Sequence, residues 1–212
     1  MKTSRYKRYD EKSGLWIASS KPVFGYWFRF LKHAAQDRPN DVDWSAYEEW
    51  GGKDYILRTN QTDWWKSKWK TLFGYTEGET TPLYPLSTTK PQPDGIRFAL
   101  MVYKLRNIPL LSGNEDGVDG FVGDKWEIAK RIAVIEYPKH RDRGAWSVIK
   151  IDPSYDPDDW MFHYARRSVV KTMRKTDPEE FRKQKRTLQS RIGRYMRQAD
   201  KHLDSVCKGQ FP

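Results

Sequence analysis

Four carboxylates stand within eight residues, at Asp152, Asp156, Asp158 and Asp159, and Lys150 lies just ahead of them. Converging on one point, such side chains could hold Mg2+ and direct water at a phosphodiester. Their spacing has a plainer explanation. Asp156-Pro157-Asp158-Asp159 puts a capping carboxylate before a first-turn proline, with an acid at the third helical position. Asp177-Pro178-Glu179-Glu180 repeats the device, so the acids read as helix starts before they read as metal ligands.

No other constellation forces a reaction. The chain has neither a Gly-x-x-x-x-Gly-Lys-Ser/Thr phosphate loop nor a Gly-x-Ser-x-Gly nucleophile elbow. His33, His140, His163 and His202 show no ligand spacing with one another or with Cys207. The acidic stretch from Leu111 to Gly123 carries Glu115, Asp116 and Asp119 but lacks the following Glu that a calcium loop requires. The expectation is a non-enzymatic protein without metal or cofactor.

Positive charge is the stronger signal. Between Phe162 and Lys201 the chain carries thirteen Lys or Arg residues against four Asp or Glu, a net +9 out of +11 for the whole protein. The thirteen are Arg166, Arg167, Lys171, Arg174, Lys175, Arg182, Lys183, Lys185, Arg186, Arg191, Arg194, Arg197 and Lys201. Cations at this density call for a polyanion, and nucleic acid is the commonest one, with DNA favoured over RNA.

The elements that must carry these cations follow from the two start signals. One helix is expected from about Pro157 to Lys175 and a second from Pro178 toward Lys208, with Gly209 as its terminator. In the second, the apolar residues are Phe181, Leu188, Ile192, Tyr195, Ala199, Leu203 and Val206, and from Leu188 onward the intervals are four, three, four, four and three, one continuous apolar stripe. Arg186, Arg191, Arg194, Arg197 and Lys201 fall off it. In the first, Trp160 or Met161, Ala165, Val169 and Met173 can face inward while Arg167, Lys171, Arg174 and Lys175 project outward. Joined by a short turn at Thr176-Asp177, the pair would present a common basic surface like that of helix-turn-helix DNA readers. The acids that open the second helix are unfavourable beside phosphate. Contact is therefore expected along its middle, Arg182 to Arg197, where Gln189 and Ser190 could add neutral contacts.

The amino-terminal half is aromatic. A helix is expected over Phe24 to Ala35, a short one over Trp44 to Trp50 capped by Asp43, and a third capped by Thr62 or Asp63 and ended by Gly74. Trp65, Trp69, Leu72 and Phe73 share one face of the third, which places them in the core. Trp64 falls off that stripe and, with Lys68 beside it, is the candidate for stacking on unpaired bases. Prolines at 82, 85, 91 and 93 break the middle of the chain. Leu83 to Leu86 suits a short edge strand, Asp124 to Ala133 a helix ending near Pro138, and Trp146 to Ile151 a strand. Ile96 to Leu105 reads as a strand by its Phe, Val and Tyr content and as a helix by its length and Ala-Leu-Met content, and the helical spacing of Phe98, Val102 and Leu105 favours the helix. The sum is a predominantly helical α+β protein: an aromatic-rich helical region over 1–75, a Pro/Gly-rich connecting region over 76–123 with possible short strands, and a basic helical region over 124–212.

The blocks Asp63-Trp64-Trp65 and Leu72-Phe73-Gly74, with the ending Gly209-Gln210-Phe211-Pro212, resemble uncharacterised proteins associated with bacterial mobile elements. That resemblance implies a bacterial, element-encoded, DNA-associated accessory protein and assigns no residue a role. Composition fits: 212 residues, 15% aromatic with ten Trp, can build a core although 32% are charged. There is no apolar run long enough for a membrane span, and the basic, polar stretch from Met1 to Lys12 lacks the apolar region of a secretory signal. A single Cys207 fits a reducing cytoplasm. The expected function is a DNA-binding accessory or regulatory factor. The alternatives are a subunit or inhibitor docking its basic face on an acidic protein or an RNA-containing complex, and a metal-dependent nuclease.

Overall fold

The computed structural model describes residues 8–17, 21–76, 78–79, 82–87, 91–106, 124–136, 148–151 and 178–211. The protein is a predominantly helical α+β chain, as its sequence patterns predict. Residues 1–100 with 198–212 make one compact unit, and residues 101–197 make the other.

The first unit is built on rings. Helix α1 (Lys21–Asp37) buries Phe24, Trp27, Phe28, Phe30 and Leu31. A 3-10 turn (Trp44–Tyr47), capped by the Asp43 carboxylate on the Ser45 amide, then adds Tyr47. Helix α2 (Gly52–Arg58) and helix α3 (Gln61–Phe73) close over the same centre. Phe24 stacks on Phe73 with centroids 4.0 Å apart, and Trp27 meets Trp50 at 5.1 Å. Offset and tilted pairs of this kind are the favoured ring geometries, each worth about 0.5–1.5 kcal/mol beyond the area buried.

Three short strands, β1 (Arg8–Asp10), β2 (Leu15–Ile17) and β3 (Gly74–Tyr75), form an antiparallel sheet in the order β1-β2-β3. The register sets Tyr9 opposite Trp16, and Trp16 opposite Tyr75. One aromatic row therefore crosses the sheet, from exposed Tyr9 to buried Tyr75.

The second unit holds an antiparallel pair, β4 (Ala133–Glu136) with β5 (Val148–Ile151), and helix α5 (Lys125–Ile132), whose first turn is capped by Asp124 Oδ1 accepting from the Trp126 amide at 2.7 Å. Helix α4 (Pro93–Arg106) and the last helix, α6 (Pro178–Cys207), each give residues to both units. Met101, Val102, Leu105, Ile128, Ala129, Ile132, Leu188 and Ile192 supply buried apolar surface in this unit.

The last helix follows its signals closely. Pro178, Glu179 and Glu180 form its first turn, and Gly209 at φ +72° ends it. The Gly209 amide donates to Val206 O and the Gln210 amide to Ser205 O, a Schellman closure. All of its expected stripe residues are buried except Tyr195, which is half-buried. Phe211 then enters the core of the first unit, stacked on Trp27 at 5.6 Å.

Several expectations are corrected. Leu83 to Leu86 is not a strand; the Tyr84 amide donates to Leu72 O, and just beyond the segment the Ser87 amide donates to Phe211 O. The helix opened by Asp124 stops at Ile132, because the β-branched run from Val134 pairs with β5. Trp44 to Trp50 is only one 3-10 turn, and helix α2 opens shortly after it at Gly52, with Gly51 as its N-cap. Asn60, not Thr62 or Asp63, caps α3, its Oδ1 accepting from the Asp63 amide at 2.9 Å. Strands β1, β2 and β3 lie outside 76–123 and 146–151, the segments in which strands are expected.

Candidate nucleic-acid interface

The expected interface divides at residue 178. Arg166, Arg167, Lys171, Arg174 and Lys175, the helix expected over 157–175 and its Thr176-Asp177 turn all lie outside the described residues. So does the acid cluster at 152, 156, 158 and 159. The helix-turn-helix reading rests on those residues. Arg182 to Lys201, by contrast, are placed on α6.

Helical geometry turns their numbering into a surface. At about 100° per residue, Arg182, Lys183, Arg186, Arg194 and Arg197 fall within an arc of roughly 120°. Phe181, Leu188 and Ile192 lie diametrically opposite, and all three are buried. The five cations are exposed. Packing of the stripe therefore fixes the direction in which the cations point, which an unanchored basic tail could not do. From Arg182 to Arg197, roughly 22 Å of helix, there are seven cations and no carboxylate.

The remaining cations divide by role. Lys185 and Arg191 are half-buried on the flanks. The Lys185 ammonium sits over the Trp126 ring, 4.8 Å from its centroid, and Trp126 in turn meets Phe181 edge-on at 5.7 Å. Lys185 is thus engaged in packing as much as in display. Lys183 pairs with Glu180 at 3.6 Å. Lys201 is exposed but belongs to the first unit, and exposed Asp200 and Asp204 precede and follow it on the helix. Among the described residues no carboxylate pairs with Arg182, Arg186, Arg191, Arg194 or Arg197. Ser190 is exposed beside this row and Gln189 is half-buried.

The stacking candidate is overturned. Trp64 is fully buried, lying on Phe28 with centroids 4.6 Å apart and against Trp50 at 4.7 Å. Helix α3 is covered from two sides, so its buried face is wide enough to take Trp64 as well as Trp65. Trp69, expected in the core, is half-buried, stacked on Trp65 at 6.1 Å.

One cation that the sequence reading passed over reaches this surface. Gly193 lies within the arc of exposed cations, and the atoms nearest to where its Cβ would stand are Lys125 Cε, Nζ and Cδ, at 3.2, 3.4 and 3.6 Å. A glycine in the middle of a thirty-residue helix, where it costs about 1 kcal/mol against alanine, was the available signal.

Other chemistry finds little footing. Among the described residues no three His, Cys, Asp or Glu side chains are grouped to hold a metal ion, and no helix is long and apolar enough to cross a membrane. Cys207 is buried, which pushes its thiol up and away from the reactive thiolate.

The described residues combine a predominantly helical α+β fold with a last helix whose exposed cations share one side. Comparison with protein-family models, with curated proteins and with solved structures finds no match.

Proposed function

We propose that the protein is a non-enzymatic nucleic-acid-binding factor whose α6 lays its outer face, Arg182 to Arg197, against the phosphates of duplex DNA, in an accessory or regulatory role. One observation carries the reading: five exposed cations share an arc of roughly 120°, opposite a buried apolar stripe and with no carboxylate interposed. Their backbone is held in place before any ligand arrives, because the helix is already anchored, so binding has only the side chains left to order. Each phosphate neutralised releases condensed counterions, so affinity should fall steeply with salt and depend little on sequence.

Duplex is favoured over single strand for a stated reason. Single-strand binders combine cations with exposed rings on which bases stack. The exposed positions of α6 hold no aromatic residue, and the tryptophan that might have served is in the core.

The test is a salt titration of binding to duplex DNA, single-stranded DNA and RNA of matched length. The reading expects the duplex to bind at low salt, with log affinity falling linearly against log salt at a slope of about −3 to −5 for four or five phosphate contacts. No affinity for any of the three at low salt would overturn it and turn attention to an acidic protein as the partner of the same face.

A further inference from the structure

Lys125 begins α5, and Gly193 stands near the middle of α6, sixty-eight positions later in the chain and within the same unit. The three heavy atoms closest to an imagined Gly193 Cβ all belong to the Lys125 side chain, the nearest at 3.2 Å. Lys125 is nevertheless exposed. The end of the side chain, Cδ to Nζ, therefore lies over a notch left by a missing side chain, on a residue that stays exposed as a whole.

The place of the notch gives it meaning. Along the most outward row of α6 a gap of roughly 16 Å separates Arg186 from Arg197. Gly193 falls inside that gap, about two-thirds of the way along. A lysine at position 193 would point its own ammonium several ångströms out from the helix. Lys125 lies across the surface instead and arrives from another element. Among the described residues no carboxylate is paired with it; the nearby Asp124 Oδ1 is engaged by the Trp126 amide.

We propose that Lys125 is a phosphate-contacting residue of the basic face, and that Gly193 is the positioning residue that admits it there. This rests on the reading of α6 as a DNA-binding surface and adds to it a second structural element, so that the face is a composite of α5 and α6. It also gives a reason for a glycine at a helix position where almost any other residue would be more stable.

The experiment uses the full chain and a short fluorescein-labelled DNA duplex, titrated over a range of salt. Lys125→Gln should weaken binding about 3–10-fold near physiological salt and reduce the magnitude of the salt slope by about 1. Gly193→Gln keeps every charge but fills the notch, and should reproduce that loss without lowering the melting temperature. The double variant should be no weaker than either single one, and Lys125→Arg should restore the slope. Additive losses in the double variant, or Lys125→Gln binding like wild type at every salt, would overturn the proposal. If Lys125→Gln is silent while Ala at Arg186, Arg194 and Arg197 abolishes binding, the α6 surface stands and the composite face falls. If wild type shows no salt-sensitive duplex binding, both fall.

Discussion

The Tyr47 hydroxyl donates to the main-chain oxygen of Val206 at 2.6 Å. The Tyr47 hydroxyl oxygen in turn accepts from Trp27 Nε1 at 3.0 Å, so one buried phenol joins α1, the 3-10 turn and the last turn of α6. Asp43 N adds a second tie, donating to Cys207 O at 2.8 Å. The end of the cationic helix is therefore bonded into the aromatic core of the first unit, and burial raises the Tyr47 phenol well above its ordinary value, so it stays a donor.

Tyr47→Phe removes both bonds at once and leaves a buried indole N–H and a buried carbonyl without this partner. The expected cost is about 2–3 kcal/mol, since an orphaned buried polar group loses its hydration without recompense. Urea denaturation followed by far-UV circular dichroism would register it as a lower midpoint with an unchanged slope. A midpoint equal to wild type would show that the phenol contributes nothing to holding the helix end.

Charge on α6 makes the second prediction. Replacing Arg186, Arg194 and Arg197 together by Ala should weaken duplex binding at least about 100-fold at low salt and reduce the magnitude of the salt slope by about 2–3. The loss should be similar for unrelated duplex sequences. Lys183→Ala, which removes a cation already paired with Glu180, should cost less than any single one of those three. Fluorescence anisotropy at several salt concentrations measures both. Loss confined to one duplex sequence would mean that bases, and not phosphates, are being read.

His202 sets a pH dependence. It is buried against Phe30 and Phe211 at centroid distances of 5.2 and 5.3 Å, and this desolvation lowers its imidazole to about 4 from an ordinary 6.5. The neutral ring is the form that the fold accepts. Its contribution is complete above pH 6.5 and is lost as pH falls toward 4, amounting to about 3 kcal/mol. Because carboxylates titrate in the same range, the readout is a difference. The stability gap between wild type and His202→Phe should shift in favour of the variant by about that amount between pH 7.5 and pH 4. Parallel stability curves for the two proteins would show that His202 is not buried as described.

How far the sequence carried the reader depends on how local each signal was. The last helix was legible from end to end, because Pro178 with two acids, an unbroken apolar stripe and Gly209 all lie on one segment and agree. The sheet was not. Its strands are two or three residues long, and the Tyr9, Trp16 and Tyr75 row forms only when positions sixty-six residues apart are brought into register. Asn60 was missed as a cap because Thr62 and Asp63 are also capping types, and only the backbone geometry decides between them. The Lys125 and Gly193 contact was invisible for a related reason. A glycine in a helix announces that something comes close, and the chain does not say what.

Trp64 offers the last test, because it separates a core residue from a base-stacking one. Phe28 lies against it at 28° between ring planes, Trp50 at 32°, and Phe73 meets it edge-on at 5.9 Å. Among the described residues its indole N–H has no hydrogen-bond partner, so Trp64→Phe removes ring area without orphaning an acceptor. That variant should lose roughly 1–3 kcal/mol of stability, and Trp64→Ala about 3–5 kcal/mol, because a large cavity opens among rings that cannot collapse into it. Neither change should alter affinity for nucleic acid in the fraction that remains folded. Thermal melts with duplex and single-stranded titrations on the same preparations decide the matter. A Trp64→Phe protein as stable as wild type but deficient in single-strand binding would mean that the ring faces a ligand and not the core.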